Sequence, residues 1–190
     1  MCNNYASHVP AKAIADAFGR DGPPLRFDGG TVPNLEPRDD IKIGDTAPIV
    51  TRAEDGPSLR QMKWAWKGPT GKPVFNFKSE GRSFAHSDRC LIPADGFYEF
   101  TEPKVRGRKT KWLFRMEGEP WFWIAGLVKN DAWAMLTTAP GPDVAPYHDR
   151  QIVLLRQEEA LDWLDLARPE TELLRPRPFG TLSVEGVFPL

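Results

Sequence analysis

Short apolar runs separated by turn residues fill the middle of the chain, and few stretches repeat their apolar positions with a helical period. Met62, Trp64 and Trp66 alternate with Lys63, Ala65 and Lys67, the two-residue period of a half-buried strand. Similar short runs predict strands at 47–51, 74–77, 89–92, 97–101, 111–116, 121–127, 133–138, 152–155 and near 183–188. Turn residues separate most of them, which predicts antiparallel pairing. Ala13, Ile14, Ala17 and Phe18 form a helical stripe after Pro10, so residues 10–18 read as a helix ended by Gly19. A second helix is expected at 158–166, with Leu161 and Leu164 inward and Trp163 flanking, and a helical turn at 170–175. Residues 20–46, rich in Gly, Pro and Asp, read as a long surface segment. The expected fold class is α+β, an antiparallel barrel-like sheet with a few flanking helices.

A length of 190 residues fits a single domain spanning 1–190, with 41% hydrophobic residues to fill its core. Two cysteines, Cys2 and Cys90, are too few for a disulfide framework and fit a reducing compartment. The N-terminus shows no signal-peptide pattern, and no apolar run reaches the length of about 20 residues that a membrane span needs. The expected location is the cytoplasm, with no membrane partner.

Net charge is −1, but its distribution is uneven. From Arg60 to Arg115 there are 13 Lys and Arg against 5 Asp and Glu, whereas the remainder carries 12 against 21. The asymmetry points either to a basic face for a polyanion or to an ordinary solvated surface. Lys104-Val105-Arg106-Gly107-Arg108-Lys109 reads as a basic hairpin loop within that region.

Four positions carry candidate chemistry. Removal of Met1 would expose Cys2 with a free α-amine and a free thiol, whose ordinary pKa values of about 8 and about 8.5 leave both partly nucleophilic near neutrality. An aldehyde can condense with the amine, and the thiol can then close a five-membered thiazolidine on the same carbon. Asn76, at a strand end, offers an amide for an amine or a sugar hydroxyl, and Lys78 shares its face in an extended chain. Glu99 lies among Phe97, Tyr98 and Phe100; it is either desolvated, with a raised pKa suited to proton transfer, or turned outward from an edge strand. His148 is the best acid–base candidate among three histidines, with Asp149 or Arg150 to orient it. Cys90 reads as a core thiol. No metal-ligand spacing and no phosphate-binding glycine loop occurs, so neither a metal nor a cofactor is expected.

Taken in order, Met1-Cys2, Asn76 to Glu80, Arg89-Cys90-Leu91-Ile92-Pro93-Ala94-Asp95-Gly96-Phe97-Tyr98-Glu99 and His148-Asp149-Arg150 resemble the SOS-response-associated peptidase (SRAP) family, the abasic-site processing proteins. The resemblance covers nearly the whole chain, and the Pro-Ala-Asp-Gly-Phe-Tyr-Glu run is its most specific part. It implies a monomeric protein that binds single-stranded DNA, associates with the nucleoid when so bound, and forms a covalent thiazolidine at an abasic site in the DNA damage or SOS response. Strand-cleaving lyase activity and reversal of the crosslink are further implications. By the same resemblance Cys2 is the nucleophile, Asn76 positions the amine and sugar, Glu99 relays protons, and His148 assists ring opening. Lys78 stands where the family usually has arginine, and Trp64 matches a tryptophan near the DNA path. Lys63, Lys67, Arg82, Arg150 and the loop from Lys104 to Lys111 are further expected DNA contacts, and Trp64 and Trp66 are either stacking faces or core residues.

This chain departs from the family at Asn3-Asn4, Phe77, Phe100 and Gln151-Ile152, and its segment between Glu80 and Arg89 is short. Two other readings of the residues are an N-terminal-nucleophile peptidase, with the amine of residue 2 as base for its own thiol, and a non-catalytic nucleic-acid module.

Overall fold

The computed structural model describes residues 2–19, 22–102, 107 and 109–187. The chain begins with strand β1 (Asn4–Ser7) and helix α1 (Ala11–Gly19), then β2 (Arg26–Phe27), β3 (Arg38–Lys42), β4 (Thr46–Ala53) and β5 (Gly56–Trp64). Short strands β6 (Trp66–Lys67), β7 (Pro73–Val74) and β8 (Asn76–Lys78) precede β9 (Arg89–Ala94), β10 (Gly96–Thr101), β11 (Thr110–Met116), β12 (Phe122–Lys129) and β13 (Ala132–Thr138). Strands β14 (Gln151–Ile152) and β15 (Leu154–Leu155), helices α2 (Ala160–Asp165) and α3 (Glu170–Leu173), and strand β16 (Leu182–Val187) complete it.

Strands β13, β12, β9, β4 and β5 pair in that order, each antiparallel to the next, and β5 returns to β13 through Trp64 opposite Trp133. That last pairing is parallel, as it must be: five strands cannot alternate direction all the way around a closed ring. Strands β8 and β2 also pair in parallel, so the barrel-like sheet is mixed rather than purely antiparallel. A second sheet, ordered β16-β11-β10-β1-β3, packs against it.

Both faces of the barrel wall are buried, which explains the nearly continuous apolar runs of β12 and β13. One face carries Ile49, Trp64, Ile92, Ile124, Trp133 and Met135 into a core shared with Tyr5, Phe97 and Phe114 of the second sheet. The other carries Leu59, Leu91, Trp123 and Leu136 against α1 and α2. Gly126 lets β12 approach its neighbours: a Cβ there would lie 2.8 Å from the Ala134 carbonyl oxygen and 2.9 Å from Cys90 Sγ.

Helix α1 matches its prediction. Ile14 donates back to the Pro10 carbonyl, and Ile14 and Phe18 are buried, with Phe18 5.6 Å from Trp123 between ring centres. Each such side chain contributes about 1.5–3 kcal/mol by leaving water. In α2 the inward pair is Trp163 and Leu164, while Leu161 is half-buried: Trp163 donates its indole N–H to the Cys90 carbonyl at 3.0 Å, which draws it into the core. The segment 20–46, expected to be all surface, contains β2 and β3, and β1 is a strand that the local pattern does not announce. The Met62–Trp66 alternation is not one strand. Ala65 takes a left-handed conformation, φ 84°, and separates β5 from β6. Of the predicted basic loop, residues 104–106 and 108 lie outside the described residues.

Candidate active site

The site forms where the start of β1 meets β10, β8 and the turn before β14. Tyr5 pairs with Phe97 and Ala6 with Gly96; continuing that register brings Asn3 opposite Glu99. The Glu99 carboxyl lies close enough to Cys2 for its charge to raise the pKa of the Cys2 thiol. On the other side, Asn76 Nδ2 donates to the Cys2 carbonyl at 2.8 Å. Strand β8 is positioned for this by its parallel pairing with β13, Asn76 opposite Met135. Asn76 Oδ1 is buried and has no hydrogen-bond partner among the described residues.

Cys2 is itself buried, and its thiol donates to the Asn4 carbonyl at 3.2 Å. Burial, reinforced by the charge of Glu99, pushes its pKa far above the ordinary thiol range, so the thiol is held protonated. Glu99 is 1% exposed, because β10 is flanked by β1 and β11 and is not an edge strand. Desolvation by burial pushes its pKa up to about 7. The inward, desolvated reading of Glu99 therefore stands, and the outward reading does not.

His148 follows a turn in which its N–H bonds the Val144 carbonyl at 3.0 Å, and Nε2 lies 3.9 Å from Glu99 Oε2. The Arg150 backbone N–H donates to His148 Nδ1 at 2.9 Å. A neutral imidazole so held carries its proton on Nε2, the nitrogen toward Glu99. Burial lowers the His148 pKa, favouring this neutral form. An Asp149 oxygen 2.9 Å from Nδ1 can receive a hydrogen bond once the ring is charged. Asn3, Glu99, Phe100, Lys109 and His148 line an open cleft of about 390 Å³ over the site. Of these, Asn3 stands out in the sequence as a departure from the family, and Lys109 as the end of the basic loop.

The structure thus brings Cys2, Asn76, Glu99 and His148 together, across 146 positions of chain. The expected DNA contacts divide. Lys63, Lys67, Lys78 and Arg82 are exposed. Arg150 is held: its guanidinium grips both Glu80 oxygens at 2.5 and 2.8 Å and Thr137 Oγ1 at 3.0 Å, which draws the Glu80 pKa down to about 2. That pair ties the end of β8 to the His148 turn. Trp64 is a correction. It is fully buried, stacked on Trp133 at 5.1 Å, and bonded through Nε1 to the Phe75 carbonyl, so its ring offers no face to a nucleic acid. Trp66 is nearly as buried, at 7% exposed. His8 lies away from the cleft, between Asp95 at 2.7 Å and Asp39 at 3.0 Å, and steadies the Asp95 turn.

Among the described residues no group of three or more His, Cys, Asp or Glu is arranged to hold a metal ion. No helix among them is long and apolar enough to cross a membrane.

Residues 1–187 match the family model described as SOS response associated peptidase (SRAP). The chain is similar to the abasic site processing protein YoqW of Bacillus subtilis, 27% identical over 216 residues that cover 98% of this chain and 91% of that protein. It is also similar to YobE of the same organism, another abasic site processing protein, at 26% identity over 92% of this chain and 87% of that one. A crystal structure of a Bacteroides thetaiotaomicron protein shares the fold with a TM-score of 0.74 at 18% identity, covering 98% of this chain and 92% of that one. A phage-related protein from Bordetella bronchiseptica does so with a TM-score of 0.72 at 22% identity, covering 98% and 94%.

Proposed function

Because the chain belongs to the SOS response associated peptidase family, we propose that it processes abasic sites in DNA through Cys2. Once Met1 is removed, the α-amine and thiol of Cys2 capture the ring-opened aldehyde of an abasic site in single-stranded DNA as a thiazolidine. One observation carries the reading: Cys2, held through its carbonyl by Asn76, lies beside the buried Glu99 carboxyl, whose raised pKa suits it to pass protons near neutrality.

The chemistry follows from the geometry. His148 Nε2–H hydrogen-bonds the sugar ring oxygen while the Glu99 carboxylate takes the proton of the anomeric hydroxyl; the ring carbon–oxygen bond breaks to give the aldehyde, and Glu99 returns that proton to the departing ring oxygen. The Cys2 amine adds to the aldehyde carbon. Glu99 carries one proton from that nitrogen to the oxygen, making a carbinolamine, and a second to the hydroxyl, which leaves as water, and an imine remains. Sγ then adds to the same carbon, and its proton passes through Glu99 to the nitrogen, which receives the C=N electron pair. The C–N and C–S bonds form, the carbon–oxygen bond breaks, and one water is released. The amine goes first because the thiol is held protonated by its burial. Asn76 fixes the Cys2 carbonyl through Nδ2 and offers Oδ1 to an N–H of the freed amine.

Lys63, Lys67, Lys78 and Arg82 supply cations for backbone phosphates, and an abasic nucleotide has no base to be read. Binding is therefore salt-dependent and indifferent to sequence.

The test is intact-mass analysis after incubation with a single-stranded oligonucleotide carrying one abasic site. The expected species is the chain without Met1 plus the oligonucleotide minus one water, absent in Cys2→Ala. An adduct that survives in Cys2→Ala, or one that retains Met1, would overturn the proposal. Peptide turnover in the absence of DNA would favour the peptidase reading instead.

A further inference from the structure

Strand β8 has two faces. Asn76 turns to Cys2, and Lys78 shares its side by alternation. Phe77 turns the other way, into an open pocket of about 510 Å³ that is separate from the Cys2 cleft. Trp66, Phe84 and Leu127 line the pocket beside Phe77, and Arg82 and Lys129 stand at its polar side with a single carboxylate, Asp88. The size lies within the range of about 300–1,000 Å³ usual for small-ligand sites.

The pocket already holds the elements of a base-stacking slot. Phe77 is half-buried, and the Arg82 guanidinium lies over its ring, 4.7 Å from the centroid. A planar base entering here meets an aromatic face and a delocalised cation together. The slot is also built to stay open. Arg89 donates to the carbonyls of Phe84 at 2.7 Å, Ala85 at 3.3 Å and Leu164 at 2.8 Å, and the Phe84 N–H donates to Glu170 at 2.6 Å. These bonds pin the 84–87 wall to α2 and α3 before any ligand arrives, so little ordering remains to be done on binding.

We infer that this pocket takes one unpaired nucleobase of the DNA strand, from a nucleotide close to the abasic one. The inference rests on the single-stranded DNA reading above. Asn76, Phe77 and Lys78 are successive residues with a rise of about 3.3 Å each, so the cleft and the pocket are the two sides of one strand. Strand β8 pairs with β13 along one edge, and among the described residues no strand pairs with the other. A DNA strand crossing that open edge leaves its baseless sugar at Cys2, passes its phosphate between Lys78 and Arg82, and stacks the neighbouring base on Phe77. Pairing would hold the base in a duplex, so the pocket selects strands unpaired beside the lesion.

The experiment uses an oligothymidylate whose lesion is a tetrahydrofuran residue, which has no aldehyde and so reports binding without crosslinking. A second tetrahydrofuran is moved through the three positions on either side. The expected result is one position where losing the base weakens binding roughly five- to hundredfold. That penalty disappears in Phe77→Leu, which keeps an apolar wall but no ring, while penalties elsewhere are unchanged. A 2-aminopurine at the sensitive position is quenched by the wild-type protein and brightens in Phe77→Leu. Equal binding of all strands, or a penalty that persists in Phe77→Leu, overturns the inference. Thymidine monophosphate binding as tightly as the strand would also overturn it, because the site would then serve a free nucleotide. Whether Cys2 crosslinks is read separately on a natural abasic strand, so a missing crosslink with an intact base penalty removes only the chemistry proposed above.

Discussion

The side chain of Asn76 is hydrogen-bonded to the backbone of Cys2, Nδ2 to carbonyl oxygen at 2.8 Å, across 74 positions of sequence. The bond locks Cys2 against β8 and leaves Asn76 Oδ1 buried and without a partner among the described residues. Asn76→Ala should slow adduct formation by at least tenfold and cost about 1 kcal/mol of stability. Asn76→Asp, isosteric but without the donor, should be nearly as slow. Timed denaturing gels with an abasic strand measure both, and wild-type rates in either variant would remove Asn76 from the site.

Glu99 and the Cys2 amine should both limit adduct formation at low pH. The proposed steps start from the Glu99 carboxylate and the unprotonated amine, whose ordinary pKa is about 8. Burial raises the Glu99 pKa, so the rate should climb as both groups lose their protons and then level off. Glu99→Gln should lower the rate roughly a hundredfold and leave a rise set by the amine alone. A two-group rise retained in Glu99→Gln would assign the second group elsewhere.

The same carboxyl makes a prediction about stability in a chain that keeps Met1. Its folded pKa of about 7 exceeds its ordinary value of 4.5, so between these pH values the folded chain binds a proton that the unfolded chain releases. The stabilisation is complete below about pH 4.5 and is lost as pH rises through 7. Glu99→Gln does not titrate, so its stability relative to wild type should improve by on the order of 3 kcal/mol from pH 4.5 to 8. Urea denaturation at the two pH values measures this, and parallel curves would contradict it.

The exposed cations should be visible in salt titrations. Lys63→Gln, Lys67→Gln, Lys78→Gln and Arg82→Gln should each reduce the slope of log affinity against log salt by about 0.7 for a single strand. Arg150→Gln should change the slope less, since Glu80 already neutralises its guanidinium. Fluorescence anisotropy with a tetrahydrofuran-containing strand gives the slopes, and an unchanged slope takes that residue off the phosphate path.

Trp64 should behave as a core residue. Trp64→Ala removes a fully buried ring stacked on Trp133 and should cost about 3–5 kcal/mol. Lys63→Ala, one residue away and exposed, should stay within about 0.5 kcal/mol of wild type. If Trp64→Phe weakened DNA binding while melting at the wild-type temperature, the ring would have to face the strand after all.

Much of the fold is legible locally. Ile14 and Phe18 recur at helical spacing, and the runs of β9 to β13 are bounded by turn residues, so each element shows in its own few residues. What stays hidden depends on distant partners. Strand β1 is only four residues long and becomes a strand because β10 and β3 receive it on either side. Trp64 sits in an alternating run that fits either a solvent-facing or a buried face; closure of β5 onto β13 buries it against Trp133.

The site divides along the same line. Residue types and local frames mark Cys2, Asn76, Glu99 and His148 as candidates, because nucleophilicity and proton affinity belong to side chains and their immediate neighbours. Their meeting, and the direction in which each pKa moves, come from the packed molecule. Desolvation and hydrogen-bond geometry are properties of what surrounds a group in space, and the surroundings of Glu99 are drawn from residues as far apart in sequence as Cys2 and Asp149. Arg150 shows the contrast most plainly: its charge is written in the sequence, and its commitment to Glu80 exists only once β8 and the His148 turn lie side by side.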